Sequence, residues 1–310
     1  MKKYIYFCKN FGIIYTFISV LTTISQKLFP NSFLFHKLHY FKYRLVVKYL
    51  YKNNEETINK YKNKDTKNSG GSHLIFDSKY IWICWWQGYD NAPQLVKACI
   101  NNIKKHSSGK KVIIIDQYNY SNYVEINKSI VDKINESKFP ITFFADILRM
   151  NLLSKYGGVW IDSTVFLNED VSEINKYELF TVKHDLYSSW HVCKGKWSSF
   201  FLGAGKNNLG IKLINEILIN YAISENYLIA YLLLDAVITI AYENIASFKK
   251  QIDAIPVNNK KIFCMEELLN TPAENFTIPS KINKLSYKRK YVNKINCLNT
   301  VYYSLINDRL

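Results

Sequence analysis

Phe144-Ala145-Asp146-Ile147-Leu148-Arg149-Met150-Asn151-Leu152-Leu153-Ser154-Lys155-Tyr156-Gly157-Gly158-Val159-Trp160-Ile161-Asp162 holds a helix, its stop and a buried strand within nineteen residues. Helical spacing sets Ile147, Leu148, Met150, Leu152 and Leu153 on the apolar sides. It also puts Asp146 and Arg149 at i and i+3, neighbours on one face. The glycine pair ends the helix, because glycine takes the left-handed backbone of a helix C-terminus at no steric cost. Val159-Trp160-Ile161 is then a short buried strand that delivers Asp162 to its carboxyl end, the end at which open α/β sheets bind ligands. Taken singly, Asp146 with Arg149 is an ordinary intrahelical ion pair and Asp162 a turn former or helix cap. Their succession in one helix-turn-strand unit is far more specific.

Upstream the pattern alternates in the same way. Tyr80 to Trp85 reads as a buried strand, Pro93 to His106 as a helix with Leu95, Val96, Cys99, Ile100 and Ile103 on one side, and Lys111 to Asp116 as a second strand. A strand, a helix and a strand in this order imply a parallel crossover. Val124 to Asn135 and Phe143 to Tyr156 read as further helices. The predicted fold class is α/β with a mainly parallel central sheet, carried by residues 74–310. A chain of 310 residues accommodates one such domain with a full core and an N-terminal appendage. Leu228 to Tyr242 is an apolar run broken by Asp235 and too short to span a bilayer, so it reads as a core helix. Its acid is expected to be hydrogen-bonded within the fold, with a place near a bound ligand as the second reading.

Charge is distributed unevenly. The formal net charge of +16 calls for an anionic partner: nucleic acid, anionic lipid or a phosphate-bearing substrate. Residues 1–52 contain nine Lys or Arg and no Asp or Glu, interleaved with aromatic residues, a pattern suited to an anionic membrane surface. The longest uncharged stretch there, Phe11 to Gln26, falls short of the roughly 20 apolar residues of a spanning helix. The segment is therefore expected to lie on the membrane, with a signal peptide and a basic helical hairpin packed on the domain as the competing readings. Residues 53–73 are polar and end near Gly70 and Gly71, so they read as a linker or exposed helix and loop, and residues 1–73 as a basic, membrane-associating segment with its linker. No zinc finger, RNA-binding motif or helix-turn-helix is readable, so nucleic acid is not the expected partner. Cys8, Cys84, Cys99, Cys193, Cys264 and Cys297 form no Cys-x-x-Cys pair, and His184, Asp185 and His191 no metal-ligand spacing. Trp190 and Trp197 suit core packing first and stacking on sugar rings second.

Ala145-Asp146-x-x-Arg149 followed by Tyr156-Gly157-Gly158-Val159-Trp160-Ile161-Asp162-Ser163-Thr164-Val165 resembles the signature of bacterial capsular polysaccharide synthesis proteins. These are related to the sugar transferases of glycosyltransferase family 32. Ile81-Trp82-x-x-Trp85-Trp86-Gln87-Gly88, with Ala92-Pro93, and Lys284-Leu285-Ser286-Tyr287-Lys288 extend the resemblance over about residues 79 to 290. The resemblance implies a GT-A type fold, a nucleotide-sugar donor and retention of anomeric configuration. It places Trp86 and Gln87 near the nucleotide and gives Asp146 and Arg149 contact with donor ribose, sugar or phosphate. It counts Gly157, Gly158, Ser163 and Thr164 among the donor-binding residues, makes Asp146, Arg149 and Asp162 the catalytic ones, and gives Asp162 the first position of an Asp-x-Asp metal motif. Mn²⁺ or Mg²⁺ would then rest on Asp162 and donor phosphate oxygens. Thr164 stands at the last position of that motif, and a hydroxyl binds divalent cations more weakly than a carboxylate.

Without a metal, other groups must stabilise the departing nucleoside diphosphate, whose oxygens gain charge in the transition state. Lys284, Tyr287, Lys288 and Arg289 are the candidates, in a stretch from Lys281 to Lys294 with six Lys or Arg and no acid. A solvated basic face is the plainer reading of that stretch. The expected activity is sugar transfer to a lipid-linked saccharide of a capsule or other surface glycan. It would take place peripherally on the cytoplasmic face of the bacterial membrane. A phosphosugar transferase and a nonenzymatic basic membrane- or nucleic-acid-binding protein are the alternatives.

Overall fold

The computed structural model describes residues 2–67, 79–186 and 190–310. Four helices come first: α1 (Lys2–Phe11), α2 (Ile13–Leu28), α3 (Phe33–Asn53) and α4 (Glu55–Lys67). They are followed by β1 (Tyr80–Cys84), α5 (Gln94–Lys105), β2 (Lys111–Ile115), α6 (Lys128–Asn135), α7 (Ile141–Tyr156) and β3 (Gly158–Ile161). Next come β4 (Val165–Leu167), β5 (Leu179–Thr181), β6 (Phe201–Ala204), α8 (Leu209–Ser224), α9 (Leu233–Asn244) and α10 (Ala246–Asp253). The last elements that bear on the site are α11 (Cys264–Leu268), β7 (Ile282–Lys284) and α12 (Val301–Ile306).

The central sheet has five strands in the order β2-β1-β3-β6-β5. β1 pairs in parallel with β2 on one side and β3 on the other; β6 is antiparallel to β3, and β5 to β6. Four of the five strands thus run the same way, and the mixed α/β architecture with a mostly parallel sheet agrees with the sequence. Cys84 lies opposite Ile115, and Trp82 opposite Trp160, so the carboxyl ends of β1, β2 and β3 share one edge. Trp85 and Trp86, Asp116 and Asp162 follow directly on those three ends.

Period-two alternation divides the core. Trp82 and Trp160 join the side chains of α7, α8 and α9 on one face. Ile81, Ile83, Val159 and Ile161 join Val96, Ile100 and Ile103 of α5 on the other. A strand buried on both faces must be apolar at every position, which is why Gly158-Val159-Trp160-Ile161 shows no polar alternation.

The turn from α7 to β3 has little space. Gly157 has φ +68° and Gly158 φ +104°. A Cβ on Gly158 would lie 2.7 Å from the Tyr80 carbonyl oxygen and 3.0 Å from Trp82 Nε1. That indole N–H donates to the Gly157 carbonyl at 2.9 Å, tying the turn to β1.

The two helices before the undescribed segment 68–78 share the main core. Tyr43, Val46, Val47 and Leu50 of α3 are buried, and Tyr43 Oη accepts the Leu232 N–H at 3.0 Å. On α4, Ile58 is fully buried, Asp65 accepts the Ser247 N–H at 3.1 Å and Lys60 pairs with Glu216 at 2.9 Å. The stretch read as linker or exposed helix is therefore, over residues 55–67, a helix docked on α8. The domain start expected near Leu74 lies outside the described residues. Among the described residues no helix is long and apolar enough to cross a membrane.

Other boundaries move for local reasons. α6 begins at Lys128 and not at Val124, because the Asn127 side chain accepts the Ser129 N–H at 2.9 Å and starts the helix there. Only the second part of the run Leu228 to Tyr242 is helical; before it, the Ile229 N–H donates to Tyr221 Oη at 2.7 Å.

Replacing Gly158 by alanine would force a Cβ onto the Tyr80 carbonyl in a backbone region that side chains avoid. The Gly158→Ala protein is expected to lose on the order of 3 kcal/mol of stability, and a Tm within 2 °C of the parent's would contradict this account of the turn.

Candidate active site

α7 and β3 bring Asp146, Arg149 and Asp162 together around one guanidinium. Arg149 donates through Nη1 to Asp146 Oδ1 at 2.6 Å and through Nη2 to Asp162 Oδ1 at 3.1 Å. The group lies over the Trp160 ring, 4.7 Å from its centroid, and Arg149 is only 5% exposed. Its Nε is buried with no hydrogen-bond partner among the described residues. Two apart on β3, Trp160 and Asp162 share a side of the strand, and the Trp160 indole N–H donates to Asp162 Oδ1 at 2.8 Å. Reading the strand only as filler misses this role of Trp160; the i, i+2 spacing is the signal that carries it.

The second oxygen of Asp162 meets a residue 122 positions away. Lys284 Nζ donates to Asp162 Oδ2 at 2.9 Å and to Thr164 Oγ1 at 2.6 Å, and it lies 5.4 Å from the centre of the Phe200 ring. β7 pairs antiparallel with β4, placing Lys284 opposite Val165. The Leu285 N–H donates to the Thr164 carbonyl at 2.9 Å and the Lys284 N–H to the Ile262 carbonyl at 2.8 Å. The ammonium is thus positioned from backbone on both sides.

The two carboxylates are shifted in opposite directions from the ordinary value. Burial pushes Asp162 up, but Lys284 and Arg149 together with the Trp160 N–H more than cancel it, and its carboxyl stays below the ordinary range. Asp146 is pushed up to about 7, chiefly by burial, with Asp162 and Asp235 repelling its charge and Arg149 opposing the rise. Asp235, on α9, is therefore an electrostatic neighbour of the site. Burial raises its carboxyl too, and it accepts the Trp197 indole N–H at 2.9 Å. Trp197 is a buried core residue.

The remaining expected residues are spread around the sheet edge. Trp86 packs against Tyr120 and Phe144, so its ring is fixed on the first turns of α7. Gln87 offers its carbonyl to Asn91 Nδ2 at 2.9 Å. Trp85, its indole N–H buried without a partner among the described residues, receives the half-exposed Tyr287 ring edge-on at 5.1 Å. Ser163 and Thr164 are buried directly after Asp162. Gly157 and Gly158, expected among the donor-binding residues, are instead buried at the opposite end of β3 from Asp162, where they allow close backbone packing. Lys288 is exposed, and Arg289 is held by Glu266 at 3.3 Å and Glu267 at 2.9 Å, away from the carboxylates. Trp190 stacks on His36 of α3, ring centres 4.7 Å apart.

A divalent cation needs several oxygen ligands, and among the described residues no group of three or more His, Cys, Asp or Glu stands close enough to hold one by side chains alone. Between Asp162 and Thr164, the two positions of the metal motif, sits the Lys284 ammonium.

Comparison with known proteins defines the class. Residues 27–305 match the family described as capsular polysaccharide synthesis protein, and the chain belongs to that family. It is similar to the O-glycosyltransferase braB of Annulohypoxylon truncatum, 30% identical over 121 residues, which is 34% of this chain and 28% of that protein. The chain thus matches less than a third of that relative's length. Among solved structures it is similar to the apo structure of the WbbM bifunctional glycosyltransferase, at 9% identity and a TM-score of 0.33, covering 77% of this chain and 50% of that one.

Because the folded protein holds a proton on Asp146 up to about pH 7, and an unfolded carboxyl does so only to its ordinary value near 3.8, stability from this residue is fullest below that value. It is lost as pH rises through 7. Asp146→Asn removes the titration, so the stability difference between variant and parent should shift in the variant's favour by a few kcal/mol from pH 4 to pH 7, then level off. Denaturant unfolding at a series of pH values measures it. A difference independent of pH would place Asp146 in an ordinary, solvated ion pair.

Proposed function

We propose that this protein transfers a sugar from a nucleotide-sugar donor to a hydroxyl of a lipid-linked saccharide during capsular or related surface-glycan synthesis. The observation that carries the reading is the Arg149 guanidinium shared by Asp146 and Asp162 at the carboxyl edge of three adjacent parallel strands, with Lys284 beside it. Transfer breaks the bond from the anomeric carbon to the diphosphate oxygen, which keeps the electron pair. The acceptor oxygen bonds to that carbon and loses its proton. Fixed donors around the carboxyl edge suit such a reaction, because they need no reorganisation as charge develops on the leaving group. A GT-A type fold and retention of configuration belong to the same reading and rest on the resemblance of the Asp162 segment.

The place of action is inferred from the N-terminal helices. Around the turn from α2 to α3, Leu28, Phe29, Phe33 and Leu34 are exposed, Phe33 by 76%, and Ile13, Ile14 and Phe17 extend the apolar surface along α2. Nine basic residues and no acid in residues 1–52 surround them. An anionic membrane surface would take the apolar turn into its interface and attract the basic flanks. Association with the cytoplasmic face of the membrane by this route is peripheral, and it puts the enzyme beside lipid-linked acceptors.

A panel of nucleotide sugars incubated with the purified protein should yield slow release of one nucleoside diphosphate. Asp162→Asn should lower that release roughly 100-fold, because it disturbs the acceptor that positions Lys284 and Arg149, and misplacement by about 1 Å costs on that order. Release at parental rate in the variant would remove Asp162 from the site. For the membrane, Leu28, Phe29 and Phe33 are better targets than deletion, because deletion of residues 1–52 would strip Tyr43, Val46 and Leu50 from the core. Changing all three to serine should abolish co-sedimentation with anionic vesicles and leave the Tm unchanged. Binding of the parent should weaken as salt rises. Parental binding by the triple variant would locate the lipid contact elsewhere.

A further inference from the structure

Metal ions serve nucleotide-sugar chemistry by neutralising a diphosphate, and a positive charge already occupies the place between Asp162 and Thr164. Three donors converge on the Asp162 carboxylate: Arg149 Nη2 and the Trp160 indole on Oδ1, and Lys284 Nζ on Oδ2. An ammonium has three N–H groups. Lys284 uses two of them, on Asp162 and on Thr164 Oγ1, and is still partly open to solvent, its side chain 21% exposed. A divalent cation bound by Asp162 and Thr164 would have to displace the ammonium or sit against it as a like charge. Thr164 in place of an acid fits the first partner better than the second: a hydroxyl accepts a hydrogen bond from an ammonium readily and binds a hard cation weakly. Phe200, over whose ring the ammonium lies, excludes water from one side. The ladder between β4 and β7 keeps Lys284 in register with the residue that follows Thr164.

We propose that Lys284 takes the place of a divalent cation: its remaining N–H binds the diphosphate of the donor, so that nucleotide recognition is independent of metal. The inference rests on the nucleotide-sugar reading above. Lys288, exposed four residues on, lies on the same basic segment and adds attraction for the outer phosphate. Asp162 in this arrangement is a positioning residue for Lys284 and Arg149, not a ligand of an ion.

Calorimetric titration of the full chain with UDP, GDP, ADP, CDP and dTDP, each in EDTA and in Mn²⁺, tests the inference without knowledge of the sugar. One nucleotide should bind in EDTA, with affinity changed less than about twofold by Mn²⁺. Electron paramagnetic resonance should find no bound Mn²⁺ on the protein. Lys284→Ala should weaken that nucleotide at least roughly tenfold, the loss expected when a charged hydrogen-bond partner is removed, while Lys284→Arg retains most of it. Binding that appears only with Mn²⁺, or a stoichiometric Mn²⁺ signal on the protein, would overturn the inference and leave the nucleotide-sugar reading standing. Failure of all five nucleotides in both media would overturn that reading and the inference with it. The comparison of EDTA with Mn²⁺ uses the parent protein, so a variant that fails to fold does not affect it.

Discussion

Everything at the candidate site hangs on a guanidinium that cannot give up its charge. A buried arginine stays protonated, so the fold must surround it with acceptors or lose stability. Arg149 is served by one oxygen of Asp146 on its own helix and one of Asp162 beyond the next strand, and its flat face rests on Trp160. This ties α7 to the end of β3, while the tight glycine turn joins the helix to the start of the same strand. The Arg149 Nε has no hydrogen-bond partner among the described residues. The sheet supplies the rigid edge, the helix the cation, and neither alone would hold Asp162 in place.

Sharing one cation between two acids makes the acids unequal. Asp162 has Lys284 as well and stays charged, while Asp146 faces the negative charges of Asp162 and Asp235 in a buried setting and is raised to about 7. Near neutral pH the site therefore holds one firm anion and one acid that gains or loses a proton readily. Any ligand that brings a positive group would pull that proton off, and one that brings a phosphate would keep it on. The two carboxylates thus differ in charge although one guanidinium serves both.

How much of this was readable in the sequence depended on distance along the chain. The helix, the glycine stop, the strand and the pairing of Asp146 with Arg149 lie within nineteen residues and obey fixed periods, so they were legible. The link from Arg149 to Asp162 is still local, but it depends on where the turn directs β3. Lys284 is different: it was found by resemblance as one base in a run of six, and only the β4–β7 register separates it from Arg289, which is held by Glu266 and Glu267. Non-local antiparallel pairing leaves no periodic trace in sequence. The docking of the N-terminal helices was left among competing readings for a similar reason. Tyr43 counts in the sequence only as one of the aromatics of a basic segment, with packing on the domain as the competing reading, since its partner Leu232 comes almost two hundred residues later.

The same packing joins the proposed lipid contact to the site through a chain of rings. From the exposed α2–α3 turn, α3 carries His36 and His39 to Trp190, whose ring stacks on His36 and meets His39 edge-on at 4.9 Å. His191 follows, tilted over His39, and burial keeps both imidazoles below their usual range and therefore neutral. The loop then runs to Trp197, which donates to Asp235, the carboxylate that repels Asp146. Charge on His191 opposes the rise at Asp235 and burial opposes charge on His191, so the ring stack and the raised carboxyl of Asp235 depend on the same desolvation.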